Sequence, residues 1–153
     1  MVALLLAGAL VSYRAWQKGQ PRREALAALT RLEMALTGAS PDALLKTVRL
    51  PSATRQKTET EQVDFLRRAL GEEISGEGLR ILKQQAQFGP LLSLFPDEGP
   101  RWASQAEVNP QECVAFKVER VGLRTEVVLH VDGKDHRLVR CNNVKQLAAV
   151  AKL

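Results

Sequence analysis

The sequence predicts an α+β fold in which amino-terminal helices pack on one face of a curved antiparallel sheet ending in a three-stranded meander. Three observations predict it. Residues 112–142 alternate apolar and polar side chains around two short turns. Residues 20–90 place apolar side chains at helical spacing between capping and breaking residues. Helices that precede mostly antiparallel strands are the α+β order.

The chain of 153 residues begins with an apolar run, MVALLLAGALV, followed by Tyr13, Arg14 and Trp16. A spanning helix needs about 20 apolar residues, so this run is short. Aromatic side chains and then Arg14, Lys18, Arg22 and Arg23 mark a membrane boundary. Residues 1–19 are expected to form a short or amino-terminally truncated membrane anchor, with an apolar helix docked on the core or a degenerate signal peptide as the alternatives. The basic residues favour a cytoplasmic domain, but charges upstream of a late start would reverse that, so the side of the membrane stays open.

Pro21 sits well at the start of a first clear helix through Ala25, Leu29, Leu32 and Leu36, with Gly38 as its carboxy-terminal stop. Ser40 caps a short second helix through Leu44 and Leu45, ended by Leu50-Pro51. Residues 51–58 form a polar loop. Thr58 and Glu61 have capping-box spacing before a helix with Val63, Phe65, Leu66 and Leu70, stopped at Gly71. Ser75-Gly76 opens a fourth helix with Leu79, Ile81, Leu82 and Ala86, ended by Gly89-Pro90. Leu91–Phe95 suits a buried strand, and Trp102–Val108 a further one. After the meander, Val144–Leu153 suits a short helical tail. The expected division is 1–19 anchor or docked helix, 20–145 α+β domain and 146–153 tail.

In the meander, Asp132-Gly133 is a two-residue hairpin turn, because such turns need positive φ. It pairs Leu129 with His136, Val127 with Leu138, His130 with Asp135 and Thr125 with Arg140. Val121-Gly122 is a second turn, pairing Arg120 with Leu123, Phe116 with Val127 and Val114 with Leu129. One face then collects Val114, Phe116, Val118, Leu123, Val127, Leu129, Val131 and Leu138. The other collects Lys117, Glu119, Arg124, Glu126, His130, Asp135 and Arg137, with Lys117 opposite Glu126 and Glu119 opposite Arg124.

The net charge is +5 and the pI about 9.6, which raises nucleic-acid binding. The distribution argues against it. Residues 1–31 carry a net +4, and the rest of the chain only +1. Cys113 and Cys141 fall two strands apart at opposite strand ends, too far for a disulfide. The chain holds no glycine-rich phosphate loop, no nucleophile elbow and no His-Glu-x-x-His, so no cofactor is implied.

The helix Pro21–Thr37, the segment SPDALL at Ser40–Leu45 and the meander Glu112–Asn142 together resemble the nuclear-transport-factor-two-like superfamily of cystatin-like α+β barrels. The resemblance is one of element order and covers about residues 20–145. The helix at 59–70 departs from the simplest version. The resemblance implies a cone-shaped domain. Members bind small ligands in the cone, act as isomerases or cyclases, or serve as dimerising and scaffolding modules.

Two constellations carry potential chemistry. Cys113, His130 and Asp135 form a row across three strands, at the spacing of a thiol–imidazole–carboxylate relay or of three zinc ligands; a surface His–Asp pair beside an ordinary cysteine explains the row as well, and no metal site is expected. Thr125, His136 and Arg140 interrupt the apolar face, where Trp102 and Phe116 would wall a cavity with Arg140 facing an anionic ligand; alternatively His136 and Arg140 reach solvent at the sheet ends. The reading of the whole is a membrane-anchored, non-enzymatic binding or scaffold domain that associates with itself or a protein partner. Its alternative is a small-molecule-binding protein or enzyme using the cone interior.

Overall fold

The computed structural model describes residues 2–38, 41–50, 52–120, 122–133 and 135–150, with side chains from residue 19 onward apart from residue 53. It is an α+β structure. Eight helices among the described residues, α1 (Val2–Thr37), α2 (Pro41–Thr47), α3 (Ser52–Arg55), α4 (Glu59–Glu73), α5 (Gly76–Gln85), α6 (Leu91–Leu94), α7 (Gly99–Gln105) and α8 (Val144–Val150), accompany four strands. The strands β1 (Gln87–Pro90), β2 (Cys113–Arg120), β3 (Leu123–Asp132) and β4 (Asp135–Asn142) form one antiparallel sheet in the order β1-β2-β3-β4.

The helix starts follow from their caps. Thr58 Oγ1 accepts from the Glu61 N–H at 3.3 Å, and Ser75 Oγ accepts from the Gly78 N–H at 3.1 Å, satisfying amides that a helix leaves unpaired at its first turn. At the other end of α1, the Gly38 N–H donates to Met34 O at 2.8 Å. The expected Ser40 cap lies outside the described residues.

One face of the sheet is covered by the long helices. Ala25, Leu29 and Leu32 of α1, Leu44 of α2, Leu66 of α4, Leu79 and Leu82 of α5 and Leu147 of α8 bury themselves against Phe116, Val127, Leu129 and Leu138. Each leucine, valine and phenylalanine among them contributes roughly 1.5–3 kcal/mol on burial, so this layer holds the domain together. The reverse face carries a smaller core. There Leu91, Phe95, Trp102 and Ala103 cover Cys113, Ala115 and Val128. The sheet therefore lies between two layers. Its β4 edge is closed by a parallel bridge from Val48 to Leu138 and by the Arg49 N–H donating to Leu138 O at 2.9 Å. Pro90 blunts the β1 edge, since it has no N–H to offer a further strand.

Several expectations change. Leu91–Phe95 and Trp102–Val108 are not strands; α6 and α7 form there, with the Phe95 N–H on Leu91 O at 2.8 Å. A five-residue apolar run has the same periodicity in either state. The Leu91/Phe95 spacing of four puts both on the buried side of one helical turn. The strand sits just before, at Gln87–Pro90, where a helix ending had been expected. The chain after 51 is a short helix rather than a loop, and α4 passes Gly71 to end at Glu73. Finally, α1 does not start at Pro21 but runs through it; the missing proline N–H costs that helix one bond.

The β2–β3 register is as expected throughout, from Arg120 opposite Leu123 to Cys113 opposite His130, with Gly122 at φ +76°. The β3–β4 register differs. Asp132 pairs with Asp135, so the turn centres one residue later than expected and Leu129 meets Leu138 instead of His136. Gly133, at φ +61°, still supplies the positive φ. A shift of two in partner numbering leaves the faces unchanged. A β-bulge then alters them: Leu129 pairs with Leu138 but Val128 pairs with Arg140, leaving Val139 over. Beyond it, Arg140 and Asn142 point to the reverse face and Cys141 to the helical one.

Two glycines test this packing. A Cβ at Gly71 meets nothing, whereas one at Gly78 would collide with the Val144 carbonyl oxygen where α5 crosses α8. Gly71→Ala is expected to stabilise by about 0.5–1 kcal/mol and Gly78→Ala to destabilise by about 1–3 kcal/mol. Urea denaturation of the two variants checks both signs; equal effects would mean that α5 and α8 do not approach so closely.

Candidate functional site

The reverse face of the sheet carries a cluster of charged residues that is built from the inside outward. Glu126, in the middle of β3, is 0% exposed. Its Oε1 accepts from Arg140 Nε at 3.2 Å, Arg140 Nη2 at 3.1 Å and Asn142 Nδ2 at 3.2 Å. Its Oε2 lies 3.3 Å from Arg124 Nε, a charge contact without hydrogen-bond alignment. A carboxylate without water is costly unless paired and bonded. Here two guanidiniums and an amide hold it.

The aromatic residues of α6 and α7 fix the guanidiniums. Phe95 and Trp102 pack with ring centroids 5.0 Å apart. The Arg140 guanidinium sits 4.4 Å from the Trp102 ring centroid, and that of Arg124 lies 5.5 Å from Phe95, distances at which the ring face attracts a cation. Arg124 also donates to Glu98 Oε1 at 3.0 Å; this bond holds the Glu98 carboxyl below its ordinary range and raises Arg124. Beside the cluster, Arg49 Nε donates to Ala106 O at 3.1 Å and its Nη2 to Glu107 O at 3.2 Å. Arg49, Trp102, Gln105, Ala106, Val139 and Arg140 enclose a half-open hollow of about 160 Å³.

The expected ligand residues thus separate. Trp102 and Arg140 meet on the reverse face. Phe116 and Thr125 stay buried on the helical face, where Thr125 Oγ1 donates to Asn143 O at 3.3 Å. His136 is also buried there, opposite Val131. Arg140 does not face Thr125, and His136 and Arg140 do not share a cavity, because the bulge at Val139 turns Arg140 to the other side. Bulges commonly re-aim a side chain in this way. Comparison with protein families, curated proteins and solved structures finds no match to this chain. The site is therefore read from its own geometry.

The Cys113–His130–Asp135 row also changes. Cys113 and His130 are cross-strand neighbours as expected, but the residue opposite His130 is Arg137, and Asp135 pairs with Asp132. His130 Nε2 instead lies 2.9 Å from Glu112 Oε2. Burial, and then the nearby Glu112 carboxylate, push the Cys113 thiol up to about 11; burial, then Glu73 and Glu126, push Cys141 to about 12. A nucleophilic cysteine needs the opposite shift. Among the described residues no group of three or more His, Cys, Asp or Glu side chains is placed to hold a metal ion.

Sequence reasoning missed Arg49, Gln105, Glu126 and Asn142. It had placed Glu126 opposite Lys117 and Arg124 opposite Glu119. Those backbone pairs form, but Lys117 bonds Glu119 at 3.2 Å within its own strand, while Arg124 turns to Glu98 and Glu126. The one available signal was a carboxylate directly before the apolar centre of its strand, Val127-Val128-Leu129.

The raised thiols give a measurable outcome. At pH 8, iodoacetamide is expected to alkylate Cys113 about 100-fold and Cys141 about 1,000-fold more slowly in the folded protein than in urea. Both thiols favour the neutral form when folded, so their contribution to stability is complete below the unfolded value near 9 and declines as pH rises toward 11–12. A Cys113→Ser/Cys141→Ser variant should lose that part of the alkaline slope in denaturation midpoints. Fast, selective alkylation of Cys113 would contradict the burial and restore a nucleophile.

Proposed function

We propose that this chain is a non-enzymatic binding or scaffold domain, held at a membrane through residues 1–19, that associates with itself or with a protein partner. The observation that carries the binding half is the filled helical face. Phe116, Val127, Leu129 and Leu138 are each at most 2% exposed beneath the helices, so a ligand in a cone interior would have to displace that core. What remains for recognition is surface. The hollow beside Trp102, at about 160 Å³, is smaller than the roughly 300–1,000 Å³ of small-molecule sites, and the larger hollows, of about 460 and 410 Å³, are half-open surface depressions lined mainly by polar side chains, among them Lys117, Glu119, Arg120 and Arg124. The position of His136 and Arg140 on opposite faces removes the pair on which a small-molecule or enzymatic reading drew.

The membrane half draws on the sequence of residues 1–19 and on the continuity of α1. The apolar run and the basic residues that follow it belong to the same helix that packs Ala25, Leu29 and Leu32 into the core. Among the described residues no helix is long and apolar enough to cross a membrane. The basic residues Arg14, Lys18, Arg22 and Arg23 beside the apolar run favour contact with anionic headgroups. Attachment at the headgroups would hold the domain directly at the surface, because the chain between residue 19 and the core is helical.

Flotation with liposomes containing phosphatidylserine tests the attachment. The full chain is expected to float and to stay bound through high-salt and alkaline carbonate washes, and deletion of residues 1–19 should abolish flotation. Release by salt alone, or flotation of the deleted form, would overturn the anchor.

A further inference from the structure

The reverse-face cluster is short of negative charge, and Arg101 adds to the positive side near Glu98. Three guanidiniums, from Arg49, Arg124 and Arg140, face two carboxylates, from Glu98 and Glu126. Arg49 makes no ion pair among the described residues; its bonds go to the carbonyls of Ala106 and Glu107. The Glu107 carboxylate does not supply the missing charge to Arg49, since it pairs with Arg55 at 2.9 Å and accepts from Ser52. The uncompensated charge lies at the hollow, whose lining contains Arg49 and Arg140 but no acidic residue.

Both guanidiniums are held in advance. Arg140 cannot swing away without leaving Glu126, which is 0% exposed, short of two of its hydrogen bonds. The Trp102 ring backs its plane at 4.4 Å. Arg49 is fixed by two carbonyls from the end of α7. Little ordering is therefore left for a ligand to meet, which is what makes a small contact useful. The planar fork of an arginine matches a carboxylate or a phosphate, and since Nε and Nη2 of both residues already donate within the fold, a ligand meets their remaining Nη N–H groups. A volume of about 160 Å³ admits a functional group with its stem, not a whole metabolite.

We propose that the hollow between Arg49 and Arg140 receives one carboxylate side chain, glutamate or aspartate, from a protein partner. This rests on the binding half of the proposed function and is independent of the membrane half. The carboxylate takes donors from Arg49 and Arg140, and the amide of Gln105 at the rim completes its shell. The partner contributes the charge that the cluster lacks.

The test uses the full chain in non-ionic detergent and follows the Trp102 indole N–H by NMR, assigned with Trp102→Phe. The probes are the capped peptide Gly-Gly-Glu-Gly-Gly, its glutamine counterpart, propionate and inorganic phosphate at matched ionic strength. The glutamate peptide is expected to shift the signal saturably in the millimolar range, and the glutamine peptide to leave it in place. Arg49→Gln should weaken the glutamate peptide by at least about fivefold, while the unliganded spectrum away from α7 stays unchanged. A milder Arg49→Lys variant, which keeps the charge and loses the fork, should fall between. No saturable shift, or equal shifts by both peptides, overturns the proposal. Tighter binding of propionate or phosphate than of the glutamate peptide overturns the assignment to a protein side chain. Flotation of the same Arg49→Gln sample reports on the anchor separately, since that variant leaves residues 1–19 intact.

Discussion

The arrangement of this domain depends on a carboxylate without access to water. Glu126 sits at the centre of the sheet, and everything on its face is organised to offset its desolvation. Arg140 and Asn142 reach Oε1, Arg124 approaches Oε2, and Glu98 stabilises Arg124 in turn. Such a pair seldom adds stability over a packed apolar group of the same size. What it does add is constraint, because each partner has one position in which the carboxylate is satisfied. The β-bulge is the geometric condition for this. Without the extra residue Val139, Arg140 would point among the helices and Glu126 would lose its strongest partner.

This constraint explains why the sheet has unlike faces. The helical face is a continuous aliphatic core that α1, α2, α4, α5 and α8 share. The reverse face is apolar only near Cys113, Ala115 and Val128, where α6 and α7 cover it, and becomes charged toward Arg124, Glu126 and Arg140. Phe95 and Trp102 belong to both parts: they close the small core on one side and carry the guanidiniums on the other. The short helices thus join the small core to the charged cluster. A substitution of Phe95 or Trp102 would disturb the charged cluster even though it removes no charge.

Much of the scaffold was legible in the chain, and the failures have physical causes. The β2–β3 register follows from Gly122 and from side-chain alternation, and both survive in every pair. Thr58 and Ser75 cap the helices that their spacing announces. The β3–β4 turn was misplaced by one residue because Gly133 can provide positive φ from either central position of a two-residue turn. The faces survived that error, since side chains repeat every two residues. They did not survive the bulge, which has no marker in a run such as Leu138-Val139-Arg140. Leu91–Phe95 was ambiguous because five residues are too few to separate a helical period from a strand. Of the cluster, Trp102 and Arg140 were expected to lie together, and they do, but on the reverse face rather than the helical one. Arg49 and Gln105 come from distant segments, and nothing in their local sequence indicates that they meet.

The most direct measurement of this account is a double-mutant cycle between Glu126→Gln and Arg140→Met, read as unfolding free energies in urea. Both changes keep side-chain size while removing charge. Because the two groups share hydrogen bonds at 3.1–3.2 Å with one of them fully buried, the account predicts a coupling of about 1.5–3 kcal/mol. Additive effects within about 0.5 kcal/mol would mean that Arg140 does not hold Glu126, and the reverse-face site would lose its foundation.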